Sequence, residues 1–305
     1  MRSGRHLIAL LTAALAACPA QAAEVLLKRK FVEVNRNRAT MKVGFILDHA
    51  KSSPNAIADD GKDGDLHMAG RASKVGLPMV AELVNARMEP AALQYIKQQA
   101  GQPAEAPLEG VWRLWFEHPS AGLQVQQPVV PKPYNTNPDH VFEIHPITKI
   151  GAISVLGSLQ PIPGFTAYDA EKAFEHYEDL EITVQRVKGG VLLKAPKGKY
   201  NYAEFTVRFA GKPKKYADCY IVLADVVDNE GHSIVARPRR MVFMEGASYG
   251  INWSTAKKGD EHRLLGIPRV NLAEVYAMLL SLKVNDAKPI KASYEMIIVA
   301  KLPGA

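Results

Sequence analysis

Cysteine is almost absent from this chain: Cys18 and Cys219 are the only two among 305 residues. Cys18 falls in a segment that reads as removable, so no disulfide framework can carry the fold. Long apolar runs are missing as well. Leu7 to Ala17 spans eleven residues, short of the about 20 that a bilayer requires, and no other stretch is both long and free of charge. There is no low-complexity tract and no visible internal repeat. Stability therefore has to come from apolar cores, and hydrophobic residues make up 47% of a chain long enough for two domains.

What is present begins with a targeting pattern. Arg2 and Arg5, the apolar run after them, and the small residues Ala20-Gln21-Ala22 form a signal peptide over residues 1–22. Leu15-Ala16-Ala17-Cys18 competes as a lipobox, in which Cys18 would carry a lipid anchor, but Pro19 and the Ala-Gln-Ala site favour ordinary cleavage. The expected location is the periplasm of a bacterium or the medium outside it. Loss of Arg2 and Arg5 lowers the formal charge of +7 by two and leaves a mild basic excess. Its densest clusters, Lys28-Arg29-Lys30, Lys212-Pro213-Lys214-Lys215 and Arg237 to Arg240, read as solvated strand ends rather than an anion-binding patch. Cys219, in an apolar run, reads as a small core residue.

Pro161-Ile162-Pro163-Gly164 reads as a linker, dividing the chain into residues 23–158 and 159–305. Met41 to Asp48 alternates, with Met41, Val43, Phe45 and Leu47 on one side. Asp65 to Gly70, Pro78 to Asn85, Gly110 to His118 and His140 to Thr148 read as further strands, and Glu89 to Lys97 as a helix with Pro90 in its first turn. Three strands, a helix and two strands predict an OB-fold-like five-stranded barrel, with Glu24 to Val34 as an extra strand. The second half predicts strands separated by hairpin signals: Leu180 to Val187 and Val191 to Ala195 about Lys188-Gly189-Gly190, an alternating Phe205, Val207 and Phe209, Cys219 to Val227, His232 to Met244, and Tyr294 to Leu302. Leu272 to Leu279 reads as a helix capped by Asn271 or as a buried strand. The expectation is a mainly β chain whose second domain is a β-sandwich, immunoglobulin-like in type.

The chemistry concentrates in two short segments, Asp65-Leu66-His67 and Glu143-Ile144-His145. Alternate strand residues share a face, so each segment presents an acid and an imidazole together. Imidazole with carboxylate suits zinc or a similar divalent metal, which makes Asp65, His67, Glu143 and His145 candidate ligands and Glu82 a candidate ligand-binding residue or base. The competing reading is that they form cross-strand polar pairs that fix register. Asp63-Gly64-Asp65-Leu66-His67, Met79-Val80-Ala81-Glu82 and Glu143-Ile144-His145-Pro146-Ile147, taken in order, resemble a pattern in exported bacterial proteins of unknown function: Asp-Gly-Asp-x-His, Ile-x-Glu, Glu-Leu-His-Pro. The resemblance covers residues 40–150, implies an OB-like domain and implies no activity.

Other motifs lack their context. Asp59 to Asp65 fails the EF-hand template, with Gly61 at the third position and Gly70 where a bidentate glutamate is needed. Gly246-Ala247-Ser248-Tyr249-Gly250 lacks the helix and parallel sheet of a nucleophile elbow. Single-stranded nucleic acid is not an expected partner: Leu66, His67, Met68, Val80 and Glu82 offer no aromatic platform, and Asp59, Asp60 and Asp63 repel phosphate. Trp115 and Tyr134 are candidate sugar platforms, although Trp115 equally reads as cover for the helix. The leading expectation is a non-catalytic binding or scaffold protein of the envelope, its partner an envelope protein or a glycan. The alternatives are a hydrolase using a divalent metal at Asp65, His67, Glu143 and His145, and an oligosaccharide binder.

Overall fold

A computed structural model describes residues 22–58, 61–118, 122–160 and 164–303; the signal-like segment with Cys18 and the Pro161–Pro163 linker residues lie outside them. Among the described residues the chain is mainly β, with two closed five-stranded barrels, one open sheet and a two-stranded pairing of Ile57–Ala58 with Lys62–Asp63.

The first barrel contains β1 (Thr40–Ala50), β2 (Leu66–Arg71), β3 (Met79–Leu83), β4 (Glu105–His118) and β5 (His140–Ile150). Around the barrel the order is β1-β2-β3-β5-β4, closed by pairing of β4 with β1. Only β3 and β5 run parallel. The alternation read from the sequence sends Met41, Val43, Phe45 and Leu47 inward, where they are buried. Helix Pro90–Gln99 sits between β3 and β4, its first turn containing Pro90 as expected.

The segment read as one N-terminal strand to Val34 instead divides into strand Ala23–Lys28 and helix Arg29–Asn35. Phe31, Val32 and Asn35 are the buried residues of that helix, a one-sided stripe that a two-residue period would have split between faces.

The second half corrects the sandwich expectation. Strands β6 (Ala203–Phe209), β7 (Cys219–Val227), β8 (Arg239–Met244), β9 (Glu261–Val270) and β10 (Tyr294–Lys301) close into another barrel, because β6 pairs with both β7 and β9. The hairpin Glu181–Val187/Gly190–Ala195 forms about the expected turn but joins a different sheet, with strands Ala23–Lys28, Leu123–Val125 and Ala287–Lys291. Residues 232–238, read as part of a strand, lie before β8 instead; Pro238 there has no N–H for a ladder. Asn271 does cap a helix, Leu272–Ser281, accepting from Ala273 N and Glu274 N.

The two barrels repeat one connectivity. The second runs β6-β7-β8-β10-β9, again with its third and fifth strands parallel. Arg113 on β4 stands opposite Glu143 on β5, and Arg269 on β9 stands opposite Glu295 on β10. All four residues are at most 2% exposed. Each arginine also reaches across the seam: Arg113 Nε donates to Pro268 O at 3.0 Å, and Arg269 Nη1 donates to Trp112 O at 3.0 Å. Three residues before each arginine is a glycine at a register shift, Gly110 and Gly266. A Cβ at Gly110 would lie 2.6 Å from Pro146 O, too close for the strands as they stand, and one at Gly266 would lie 3.0 Å from Ile297 O, tighter than an ordinary contact.

Glu295→Ala would leave Arg269 and Arg240, its two guanidinium partners, without their carboxylate. A loss of about 3–5 kcal/mol is expected in urea unfolding, against less than about 1 kcal/mol for removing the exposed Arg208–Glu261 pair. Equal effects would contradict the buried seam. Cys219 is buried on the outer face of β7, and burial, followed by the charge of Asp218, pushes its thiol up to about 12. Iodoacetamide at pH 8 is expected to label Cys219 in urea and leave it unmodified in the folded protein, read by mass spectrometry of its peptide.

Candidate functional site

Strand register assembles the site. His67 on β2 pairs opposite Glu82 on β3. The parallel register between β3 and β5, Val80 with Glu143 and Ala81 with Ile144, brings Glu82 beside His145. Leu66, Met68, Ala81 and Leu83 point into the barrel, so the intervening His67 and Glu82 point outward, and Asp65 joins His67 from just before β2. The four predicted metal candidates and Glu82 are thus brought together on the outer face of β2, β3 and β5.

Glu82 is the centre of this group. Its Oε1 is 3.6 Å from His67 Nε2, and its Oε2 is 2.9 Å from His145 Nδ1. Asp65 contacts His67 Nε2 from the other side. Asn55 holds Asp65 in place, donating from Nδ2 to Oδ1 at 2.7 Å. The His145 ring is fixed by a 2.9 Å hydrogen bond between Nε2 and the Tyr202 hydroxyl. Carboxylate oxygens of Glu82 and Glu143 stand 2.9 and 3.5 Å from His145 Nδ1, yet neither lies in its hydrogen-bonding direction, and this buried nitrogen makes no hydrogen bond. Asp63 Oδ2, 3.7 Å from His145 Nε2, is likewise buried without one.

Glu143 differs from the other carboxylates because both its oxygens are occupied. Oε2 accepts from Arg113 Nη1 at 2.7 Å, and Oε1 faces His140 Nε2 at 3.0 Å. His140 Nδ1 faces Pro138 O at 2.6 Å; with an acceptor at each nitrogen, the ring is held as an imidazolium. Glu143 is therefore an anchor that ties the site to the arginine seam.

A cavity of about 530 Å³ opens over the group, lined by Asp63, Asp65, His67, Glu82, His145, Glu117, His118 and Tyr202 among others. Trp115 and Tyr134 are elsewhere. Trp115 is buried against Tyr177 and beneath Gly198, so the helix it packs on is Ala170–Asp179 and not the expected Pro90–Gln99. Tyr134 stands exposed in the loop before β5, away from the cavity lining. Residue patterns did not single out Arg113, Glu117, His118, His140, Asn201 or Tyr202. Glu117-His118 did offer a signal, an acid beside a histidine at a strand end; Asn201 and Tyr202 arrive from a distant loop and offered none.

The charges are strongly coupled. Burial opposes charge on His67, but Glu82 and then Asp65 outweigh it and raise the imidazole to about 9. Burial is likewise overcome at His145, which Glu82 and then Tyr202 hold well above the usual imidazole range. Burial raises Asp63. Asp65 is lowered despite burial, chiefly by its contact with His67, and Glu143 is held well below the carboxylate range despite burial, chiefly by Arg113. Without a cation, protons on imidazoles balance the acids. A divalent ion could take the same place: ligands about 2.1 Å from a tetrahedral ion stand about 3.4 Å apart, close to the 3.6 Å between His67 and Glu82 and the 3.5 Å between His145 and Glu143, while Asp65 and His67 would have to part to admit it.

The second barrel supplies an internal reference. Matching Arg113 to Arg269 and Glu143 to Glu295 carries Glu82 onto Val242 and His145 onto Ile297, and the β7–β8 register carries His67 onto Ile221. This connectivity thus closes with Ile221, Val242 and Ile297 in the row where the first barrel has His67, Glu82 and His145. Comparison with known proteins adds no identity: no family model matches the chain, and no curated protein matches it.

In chelator, the His67 contribution to stability should be complete below pH 6.5, the ordinary imidazole value, and lost as the pH rises through about 9, because the folded state binds its proton more tightly than the unfolded one. The difference in Tm between the parent and His67→Gln is expected to shrink over that interval. A difference independent of pH would show that the Glu82–His67–Asp65 contacts do not form.

Proposed function

We propose that the chain is an exported bacterial binding protein whose first, OB-like barrel grips its ligand through a divalent cation on the outer face of β2 and β3. The strand order β1-β2-β3-β5-β4, with a helix between β3 and β4, supports the OB-like assignment, and this is the face that such barrels use for oligosaccharides and oligonucleotides. Asp65, His67, Glu82 and His145 would hold the ion, with Asn55, Tyr202 and Glu143 orienting the ligands or their neighbours. Asn55, Ala56, Gly61 and Lys62, which line the cavity from before β2, would contact the ligand.

One observation carries this reading. Ile221, Val242 and Ile297 occupy the matching row of the second barrel, so the connectivity closes without His67, Glu82 and His145. Burying ionisable groups costs several kcal/mol per ion before pairing returns any of it. A cost that the architecture does not require argues for a ligand.

A second reading, a metal-dependent hydrolase, is favoured by His118. Burial lowers its basicity, which favours the neutral ring that can accept a proton, and it lines the same cavity. A bound cation would supply the activated water.

Protein purified without chelator and dialysed against zinc or manganese is expected to retain metal in stoichiometric amount by elemental analysis. His67→Ala with His145→Ala should abolish retention while circular dichroism remains that of the folded parent. A folded parent that retains no metal, or a double variant that retains as much, would overturn the proposal.

A further inference from the structure

Glu82 stands between the two imidazoles with one oxygen toward each. Two sets of potential ligands meet on it: Asp65, His67 and Glu82 form one, and Glu82, Glu143 and His145 form the other. In each set the ligand atoms all lie within 4.8 Å of one another. Resting on the cation-binding reading above, we propose that the first barrel holds two divalent cations, bridged by the Glu82 carboxylate.

The first cation would take His67 Nε2, Asp65 Oδ2 and Glu82 Oε1, where the imidazole is 3.6 Å from the bridging oxygen. The second would take His145 Nδ1, Glu82 Oε2 and the outer lone pair of Glu143 Oε2, at 2.9 and 3.5 Å from that nitrogen. The buried His145 Nδ1 makes no hydrogen bond, although carboxylates surround it; a neutral ring whose Nε2–H donates to Tyr202 would aim the Nδ1 lone pair into this second set. That unpartnered nitrogen sets the site apart from a simple cluster of acids. A carboxylate commonly spans ions about 3.5–4 Å apart in paired sites, and the two oxygens of Glu82 already address separate imidazoles.

The wall is acidic enough to attract cations: Asp63, Asp65, Glu82 and Glu117 line the cavity with one exposed lysine, Lys62, while Glu143 is matched by Arg113.

The test is manganese stoichiometry on the intact parent protein, by isothermal titration and by electron paramagnetic resonance. Two ions per chain with an exchange-coupled signal are expected. Glu82→Gln, whose neutral amide bridges poorly, should lose the coupled signal, and Asp65→Asn should weaken the first position while one uncoupled ion remains. A single ion per chain in the parent would overturn the bridged pair and leave the one-cation reading intact. No bound manganese or zinc in folded parent protein would overturn both.

Discussion

Two buried guanidinium groups join the halves of this molecule. Arg113 and Arg269 each pair with a glutamate on the neighbouring strand of their own barrel, and each donates to a backbone carbonyl of the other. An arginine fully removed from water is costly unless its donors are matched. Here carboxylate and carbonyl partners meet that demand only when the barrels sit together. The two strands that carry these arginines, β4 and β9, are therefore held in one register. Asp218 strengthens the same junction, accepting from Ala39 N and from Thr40 N and Oγ1 at the start of β1.

That seam also shapes the site. Arg113 fixes Glu143, and its Nη2 donates to Asn201 at 2.6 Å, beside the Tyr202 that orients His145. The first barrel thus depends on the other half of the chain to complete its outer face. On the second barrel the equivalent row of Ile221, Val242 and Ile297 packs with Val84, Val111 and Leu159 into an apolar cluster. One connectivity has therefore been used in two ways: an apolar outer face for assembly, and a polar one that frames a cavity.

Much of the first barrel was legible because its strands alternate cleanly and its helix opens on Pro90. The convergence of Asp65, His67, Glu143 and His145 was legible for the same reason, since period-two placement fixes faces wherever strands are correctly read. The second barrel was harder to read. Ile221 and Val222, or Met241, Val242 and Phe243, are apolar on consecutive positions because both faces are covered, and such runs do not distinguish a barrel from a sandwich. Closure rests on β6 pairing at both edges, which no local pattern announces. The repeat itself left only Gly-x-x-Arg and an aromatic residue before glutamate, Gly110 to Arg113 with Phe142-Glu143 and Gly266 to Arg269 with Tyr294-Glu295. The partners of Glu143 were illegible for a related reason: Arg113 and His140 become its neighbours only through the fold.

The central claim is that the polar row of the first barrel serves a ligand and not the fold. Its most direct test replaces that row with the one the second barrel uses, His67→Ile, Glu82→Val and His145→Ile together, and compares urea unfolding in chelator with that of the parent. The account predicts a folded variant of equal or greater stability, by up to about 4 kcal/mol, that no longer retains a divalent metal. A variant that unfolds, or is several kcal/mol less stable, would show that the ionisable row holds the barrel together and would contradict the account.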